Sequence, residues 1–165
     1  PIRERVLGAE HRDTLITRAN LGVTTGKAGD EAGARDLFAE LLPLVERVFG
    51  AEHPETLLSR GNLASWTGDA GDAVRARDMF AELLPIHERV LGAEHPHALT
   101  TRANLARWTG EAGDAVRARD MCAELLLVRA RVLGSEHPDT VKTRRDLASW
   151  IERAAVEDES PGREG

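Results

Sequence analysis

The stretch from Ala51 to Gly92, AEHPETLLSRGNLASWTGDAGDAVRARDMFAELLPIHERVLG, is followed at once by a near copy, Ala93 to Gly134, with about 30 of 42 aligned positions identical. The same frame extends back over Ala9 to Gly50 and forward from Ser135. Gly8, Gly50, Gly92 and Gly134 share one position of this frame; His11, His53, His95 and His137 share another. Self-similarity of this degree restricts the chain to a row of like pieces. Each piece is too small to close a core alone and must bury its apolar face against its neighbours.

Local signals then define the piece. His53-Pro54-Glu55 places proline at a first helical position, where its missing N–H costs nothing, and an acid in the first turn. That helix is expected to run to about Ala70. Gly71 supplies a left-handed cap and Asp72 an N-cap for a second helix from Ala73 to about Leu91. Ala76, Met79, Phe80, Leu83, Leu84 and Leu91 form a wide apolar stripe on it. In the first copy the short helix is expected over Asp13 to about Thr25. Such tight turns force antiparallel neighbours. No run alternates with period two, so the expectation is an all-α chain of seven helices and no strands.

Pro1 to Gly8 matches Pro85 to Gly92, so residues 1–8 read as the end of a truncated helix and the chain as a segment of a longer protein. Residues 9–155 form the repeat domain, as copies 9–50, 51–92 and 93–134 and a half copy 135–155 whose helix spans Asp139 to about Ala155. Residues 156–165 are acidic with one apolar side chain and are expected to be disordered. Pro43 and Pro85 fall inside the long helix and should bend or break it, whereas Leu127 in the third copy should leave it straighter.

A net charge of −6 argues against the clustered positive surface that nucleic acid requires. No window is apolar for long enough to span a bilayer, no signal peptide opens the chain, and the single cysteine, Cys122, allows no intrachain disulfide. The expected setting is therefore cytoplasmic, with neither nucleic acid nor membrane as partner.

Chemistry-bearing residues are sparse. The four framed histidines would lie about 10 Å apart in stacked repeats, too far for one metal with ligands near 2 Å. Their expected role is structural, at the entry from loop to helix, and His95-Pro96-His97 makes no better ligand set. Asp78, Glu82 and Glu88 read as a solvated helix face. Cys122 stands where the second copy has Phe80 and reads as a small buried side chain. With no phosphate loop and no nucleophile elbow, the expectation is no catalytic residue, no cofactor, no metal and no enzyme activity.

Two helices per copy, with Leu63, Ala64, Gly71, Ala76 and Phe80 at their places, resemble the tetratricopeptide repeat, whose usual period is shorter. The 42-residue period, the extended second helix and the Leu-Gly-x-x-His-Pro loop look like the kinesin-light-chain variety. That variety is common in large actinobacterial proteins, where it often follows a nucleotide-binding switch domain. The resemblance covers residues 1–155 and implies a right-handed α-solenoid. Two positions depart from the family. Thr67 and Thr109 stand where it usually has an aromatic, and Trp66, Trp108 and Trp150 where it usually has a small residue. The bulk has moved one position along the helix, a volume-conserving change of the kind cores tolerate. The first copy has Thr24 at the tryptophan position and is expected to pack less well.

Asn20, Asn62 and Asn104 recur on the short helix, always before leucine. The resemblance implies that short helices line a concave surface and that an asparagine here grips a bound peptide backbone. A carboxamide offers a donor and an acceptor together, which matches one peptide unit. An asparagine that bonds a neighbouring helix would recur in the same way. Asp146 takes the position in the fourth copy and is expected to end the ladder. Nearby groove positions are Ile16, Ala19, Val23, Leu58, Gly61 and Ser65 early in the chain, then Arg107, Lys142 and Arg145. A groove apolar at one end and basic at the other would suit a peptide with a hydrophobic part and an acidic part. Alternatively, Lys142 and Arg145 merely solubilise the last helix. Val141, Leu147, Trp150 and Ile151 on that helix have no following helix to cover them, so self-association into a dimer through uncapped ends is expected. The expected function is a protein-interaction module or scaffold that binds a peptide or protein segment. The alternatives are a structural spacer or self-association element without ligand, and the regulatory arm of a switch ATPase.

Overall fold

The computed structural model describes residue 8 and residues 10–158. Among these it contains seven helices and no strand: α1 (Arg12–Lys27), α2 (Glu31–Phe49), α3 (Pro54–Asp69), α4 (Ala73–Leu91), α5 (Pro96–Glu111), α6 (Ala115–Leu133) and α7 (Pro138–Asp158). Helices of 16 residues (α1, α3, α5) alternate with helices of 19 (α2, α4, α6). The expectations for residues 1–7 and for most of the tail lie outside the described residues. The chain divides into two compact units, Pro1–Met79 and Phe80–Gly165, with the boundary inside α4.

Each element starts for a local reason. His11, His53, His95 and His137 each accept, through Nδ1, the backbone N–H two residues ahead, at 3.2 Å. Imidazole nitrogen here does the work that a serine or aspartate oxygen does at most N-caps. The structural role expected of the framed histidines is thus an N-cap. Asp30, Asp72 and Asp114 cap the long helices, accepting from Gly33, Arg75 and Arg117 at 2.8, 3.0 and 2.9 Å. The turn before them needs a residue at φ near +100°, supplied by Gly71 (+103°) and Gly113 (+100°).

The prolines do not break the long helix. α2 and α4 run through Pro43 and Pro85 and are as long as α6, which has Leu127. Both prolines are exposed, as are Ala39 and Ala81 four residues earlier, so water can satisfy the carbonyls that lose a donor. At the other end, α7 continues three residues beyond Ala155. Ala154 is buried, and the Glu157 carboxylate accepts the Ala115 backbone N–H at 3.2 Å, satisfying a donor at the start of α6.

In the first compact unit Leu15, Phe38, Leu41 and Val45 form the core, with Val23, Leu44, Leu63 and Trp66 packed around them. Gly22 gives Phe38 its place, since a Cβ there would lie 2.8 Å from the ring. Gly26 does the same for Trp66, so the tryptophan of one repeat lies on a glycine of the repeat before. The second compact unit repeats the device with Trp150 against Gly110. Thr67 and Thr109, beside the tryptophans, are buried and donate their hydroxyls to the Leu63 and Leu105 carbonyls at 2.7 Å. The first repeat closes its own core without a tryptophan. Thr24 is exposed and its hydroxyl donates to the Asn20 carbonyl at 2.7 Å, while Leu15, Phe38 and Leu41 are fully buried. The frame position of tryptophan serves contact with the preceding repeat, so losing it leaves the first repeat's own core intact.

The acidic face is only partly solvated. Glu88 accepts from Arg102 Nε and Nη2 at 2.9 and 2.5 Å, and Glu46 accepts from Arg60 at 3.0 and 2.6 Å. These pairs tie a long helix to the short helix that follows it. Asp78 instead pairs with its exposed neighbour Arg77.

Candidate functional site

Within the second compact unit, α5 and α7 border a cleft of about 340 Å³. α5 contributes Ala103, Arg107 and Glu111, spaced four apart and so on one face. α7 contributes Lys142, Asp146, Ser149, Trp150 and Arg153, and the floor reaches Cys122 of α6. Three cations and two carboxylates thus rim an opening with an indole wall.

These charges are partly engaged with one another. Lys142 Nζ lies 2.8 Å from Asp146 Oδ2, one helical turn away. Arg153 Nη1 lies 3.1 Å from Glu111 Oε1, which links α7 to α5. The Arg153 guanidinium also covers the Trp150 ring at 4.2 Å, and Arg107 covers Trp108 at 4.1 Å. The Lys142–Asp146 pair is exposed (side chains 66% and 39%), a class worth about 0–1 kcal/mol, and can open for a competing carboxylate.

Cys122 on the floor is buried, as its sequence position suggested. Burial first, and then the Asp146 carboxylate, push its thiol pKa up to about 11, against the opposing pull of Lys142 and Arg129. The thiol is protonated at neutral pH and is a poor nucleophile. Arg129 lies inside the same unit, with Nη1 donating to Thr143 Oγ1 at 2.8 Å and to the Asp139 carbonyl at 3.2 Å, and Nη2 to the Leu99 carbonyl at 3.3 Å. Among the described residues no group of histidines, cysteines and carboxylates could hold a metal ion, and no helix is long and apolar enough to cross a membrane.

Of the six residues singled out from sequence, the structure brings Arg107 and Lys142 to one cleft. Arg145 is exposed and does not line it. Asn20 is exposed, Asn62 and Asn104 are half-buried, and none makes a side-chain hydrogen bond to the described residues. The ladder position that does line the cleft is Asp146, where the ladder was expected to end. In the first compact unit Ile16 and Leu58 are exposed, at 38% and 50%. The recess beside Ile16 and Ala19 is about 10 Å³, at the lower limit of what holds a single water.

The open end expected from Val141, Leu147, Trp150 and Ile151 needs correction. Trp150 belongs to the core formed with Ala106, Ala115, Ala118, Cys122 and Ala154, and Leu147 packs against that core. Trp150 is covered because it turns toward Gly110 of the preceding repeat, not toward a following one. Ile151, at 51%, is the large apolar side chain of that set left exposed.

Glu111, Ser149 and Arg153 were missed, as were the glycine sockets. A signal for the sockets was present: Gly26, Gly68 and Gly110 share one frame position inside the short helix. Glycine there costs about 1 kcal/mol against alanine, so its repetition asks for a packing reason.

Residues 27–88 and residues 98–139 each match the sequence profile of the tetratricopeptide repeat. The chain belongs to the tetratricopeptide-repeat proteins. Its fold is similar to that of a crystallised kinesin-light-chain candidate from Podosopora anserina with nearly identical TPR-like repeats, at TM-score 0.77, 24% identity, 96% of this chain and 75% of the other. A single-substitution variant of that protein gives TM-score 0.79 at 24% identity over 96% and 74% of the two chains. BtubC (BKLC) from P. vanneervenii matches 86% of this chain and 57% of its own at TM-score 0.75 and 19% identity. No curated protein matches the sequence. Tetratricopeptide repeats generally mediate protein–protein interaction, and the fold is an interaction scaffold.

Proposed function

We propose that the chain holds a segment of another protein against its short helices, with the α5–α7 cleft as the seat. The observation that carries this reading is the convergence of Arg107, Lys142 and Arg153 on an opening walled by Trp150. A segment with a carboxylate and a neighbouring apolar side chain meets both surfaces at once. Its carboxylate would take the place of Asp146 opposite Lys142, and its apolar group would lie on Ala103 and Trp150. The carboxamides of Asn20, Asn62 and Asn104, with no side-chain hydrogen bond to the described residues, support a role in holding peptide backbone. The partner is a peptide or protein, and the chain serves as its scaffold in the cytoplasm.

Titration of an acidic–hydrophobic peptide library tests this. Arg107→Ala with Lys142→Ala should weaken the best peptide at least tenfold, and Asn62→Ala with Asn104→Ala severalfold. Affinities equal to wild type in the first variant would remove the cleft from the account.

A second reading is self-association, now favoured by one flank of α7. Ala148 and Ile151 are exposed, whereas their frame equivalents Ala64, Ala106, Thr67 and Thr109 are buried. A second copy of the chain would cover that flank. Light scattering should then show a concentration-dependent dimer that Ile151→Asp abolishes, and a monomer at all concentrations would contradict it.

A further inference from the structure

The passage from α4 to α5 carries imidazoles where the equivalent passages do not. His87 takes the frame position of Val45 in α2 and Arg129 in α6. His97 takes the second helical position, held by Asp13, Glu55 and Asp139 in α1, α3 and α7. With the capping His95, three rings gather: centroids 5.3 Å apart for His95 and His97, and 6.3 Å apart for His87 and His97, both pairs stacked. His87 is 6% exposed, and its Nδ1 lies 2.8 Å from Thr101 Oγ1 on α5.

We propose that this cluster makes the α4–α5 joint acid-sensitive, so that protonation of its imidazoles releases the first turn of α5 from α4. Three consequences of protonation act together. His95 Nδ1 can no longer accept the His97 backbone N–H, so the N-cap of α5 is lost. A positive His97 sits in the first turn of α5, where the helix dipole favours negative charge. A positive His87 lies in a buried site beside two other imidazoles.

The charged groups around the joint offer little relief. Glu88 of α4 is held by Arg102 of α5, and Glu94 of the connecting loop by Arg131 of α6 at 2.5 Å. Arg89 of α4 has its own partner. Arg129 of α6 is spent on Thr143 and two carbonyls. Loss of the acceptor nitrogen is common to all four caps, but at the other three an acid in the first turn offsets the added charge; His137 Nδ1 stands 4.0 Å from Asp139 Oδ2.

The sign follows from His87. Burial, and then His97 and His95, hold its pKa below the ordinary 6.5. The unfolded joint therefore takes up the proton first. The stability contributed by neutral His87 is complete above about pH 6.5 and is lost as pH falls below it.

The repeats themselves supply the control substitutions, His97→Glu and His87→Val. Amide hydrogen exchange of the whole chain, corrected for intrinsic rates, is compared at pH 7.5 and 5.5. In wild type, protection at Ala98 to Arg102 should fall about tenfold, while Thr56 to Arg60 in α3 should change about twofold or less. The double variant should reduce the α5 loss to about twofold. Equal losses in α3 and α5 of wild type would overturn the proposal, as would an unchanged loss in the variant. If His87→Val fails to fold, exposed His97→Glu alone decides: a loss still near tenfold overturns the proposal. No ligand enters this experiment, so its failure leaves the cleft reading untouched.

Discussion

The two compact units fill equivalent interior positions with opposite chemistry. In the first, Val45 is 3% exposed in a core of Leu15, Phe38 and Leu41. In the second, the same frame position holds His87 in one repeat and Arg129, 4% exposed, in the next. Thr101 and Thr143, themselves frame equivalents, meet them with hydroxyls at 2.8 Å. The frame thus sets how deeply a side chain is buried, and the neighbour across the joint sets whether that burial is apolar or hydrogen-bonded. A second contrast lies two turns away. Phe38 and Phe80 have Cys122 as their counterpart, and it is at Cys122 that the cleft reaches its floor. A cysteine fills less space than the phenylalanine of the other repeats, and the cleft above it measures about 340 Å³.

The largest expected effect would break that contrast in packing. Phe38→Ala should lower the stability of the chain by about 3–5 kcal/mol, because a fully buried ring is removed and the cavity relaxes only in part. Cys122→Ala should cost well under half as much, since few atoms are lost. Denaturant midpoints that fall equally for the two would show that the units do not differ in this respect.

Gly110→Val probes the socket, where the added side chain overlaps the Trp150 ring. A loss of about 1–3 kcal/mol is expected from overpacking, with a change in Trp150 fluorescence in a chain whose other tryptophans are replaced by phenylalanine. A fluorescence spectrum identical to that of the parent would mean that the indole does not depend on this glycine.

The smallest effect sharpens the difference in depth. Cys122→Phe gives the second unit the side chain of the first, and should weaken a cleft-bound peptide about tenfold, or roughly 1.4 kcal/mol. The fold should persist, as phenylalanine is the residue of the other repeats. Undiminished affinity would place the peptide elsewhere.

Helix starts, turns and stripes could be read from the chain because their causes lie within a few residues. A histidine caps two positions ahead, an aspartate three, and a glycine bends the very next turn. That the helix continues through Pro43 depends on whether water reaches the Ala39 carbonyl, which residue order does not state. The frame singled out Arg107 and Lys142, which line one cleft, but not Glu111 and Arg153, since their link joins helices 42 residues apart. Trp150 was misplaced for the same reason: its neighbour Gly110 is 40 positions back, and nothing local says which way the indole turns.

Periodicity alone therefore dictates that the chain forms like helical hairpins, where each begins and ends, and which face of each helix is apolar. Tertiary packing decided which repeat a tryptophan leans on, which carboxylate an arginine finds, and whether an interior position is greasy or hydrogen-bonded. The first set depends on backbone geometry and short-range bonds, which every copy of the repeat shares. The second depends on what a neighbour some 40 residues away presents, and there small differences between copies give each compact unit its own interior.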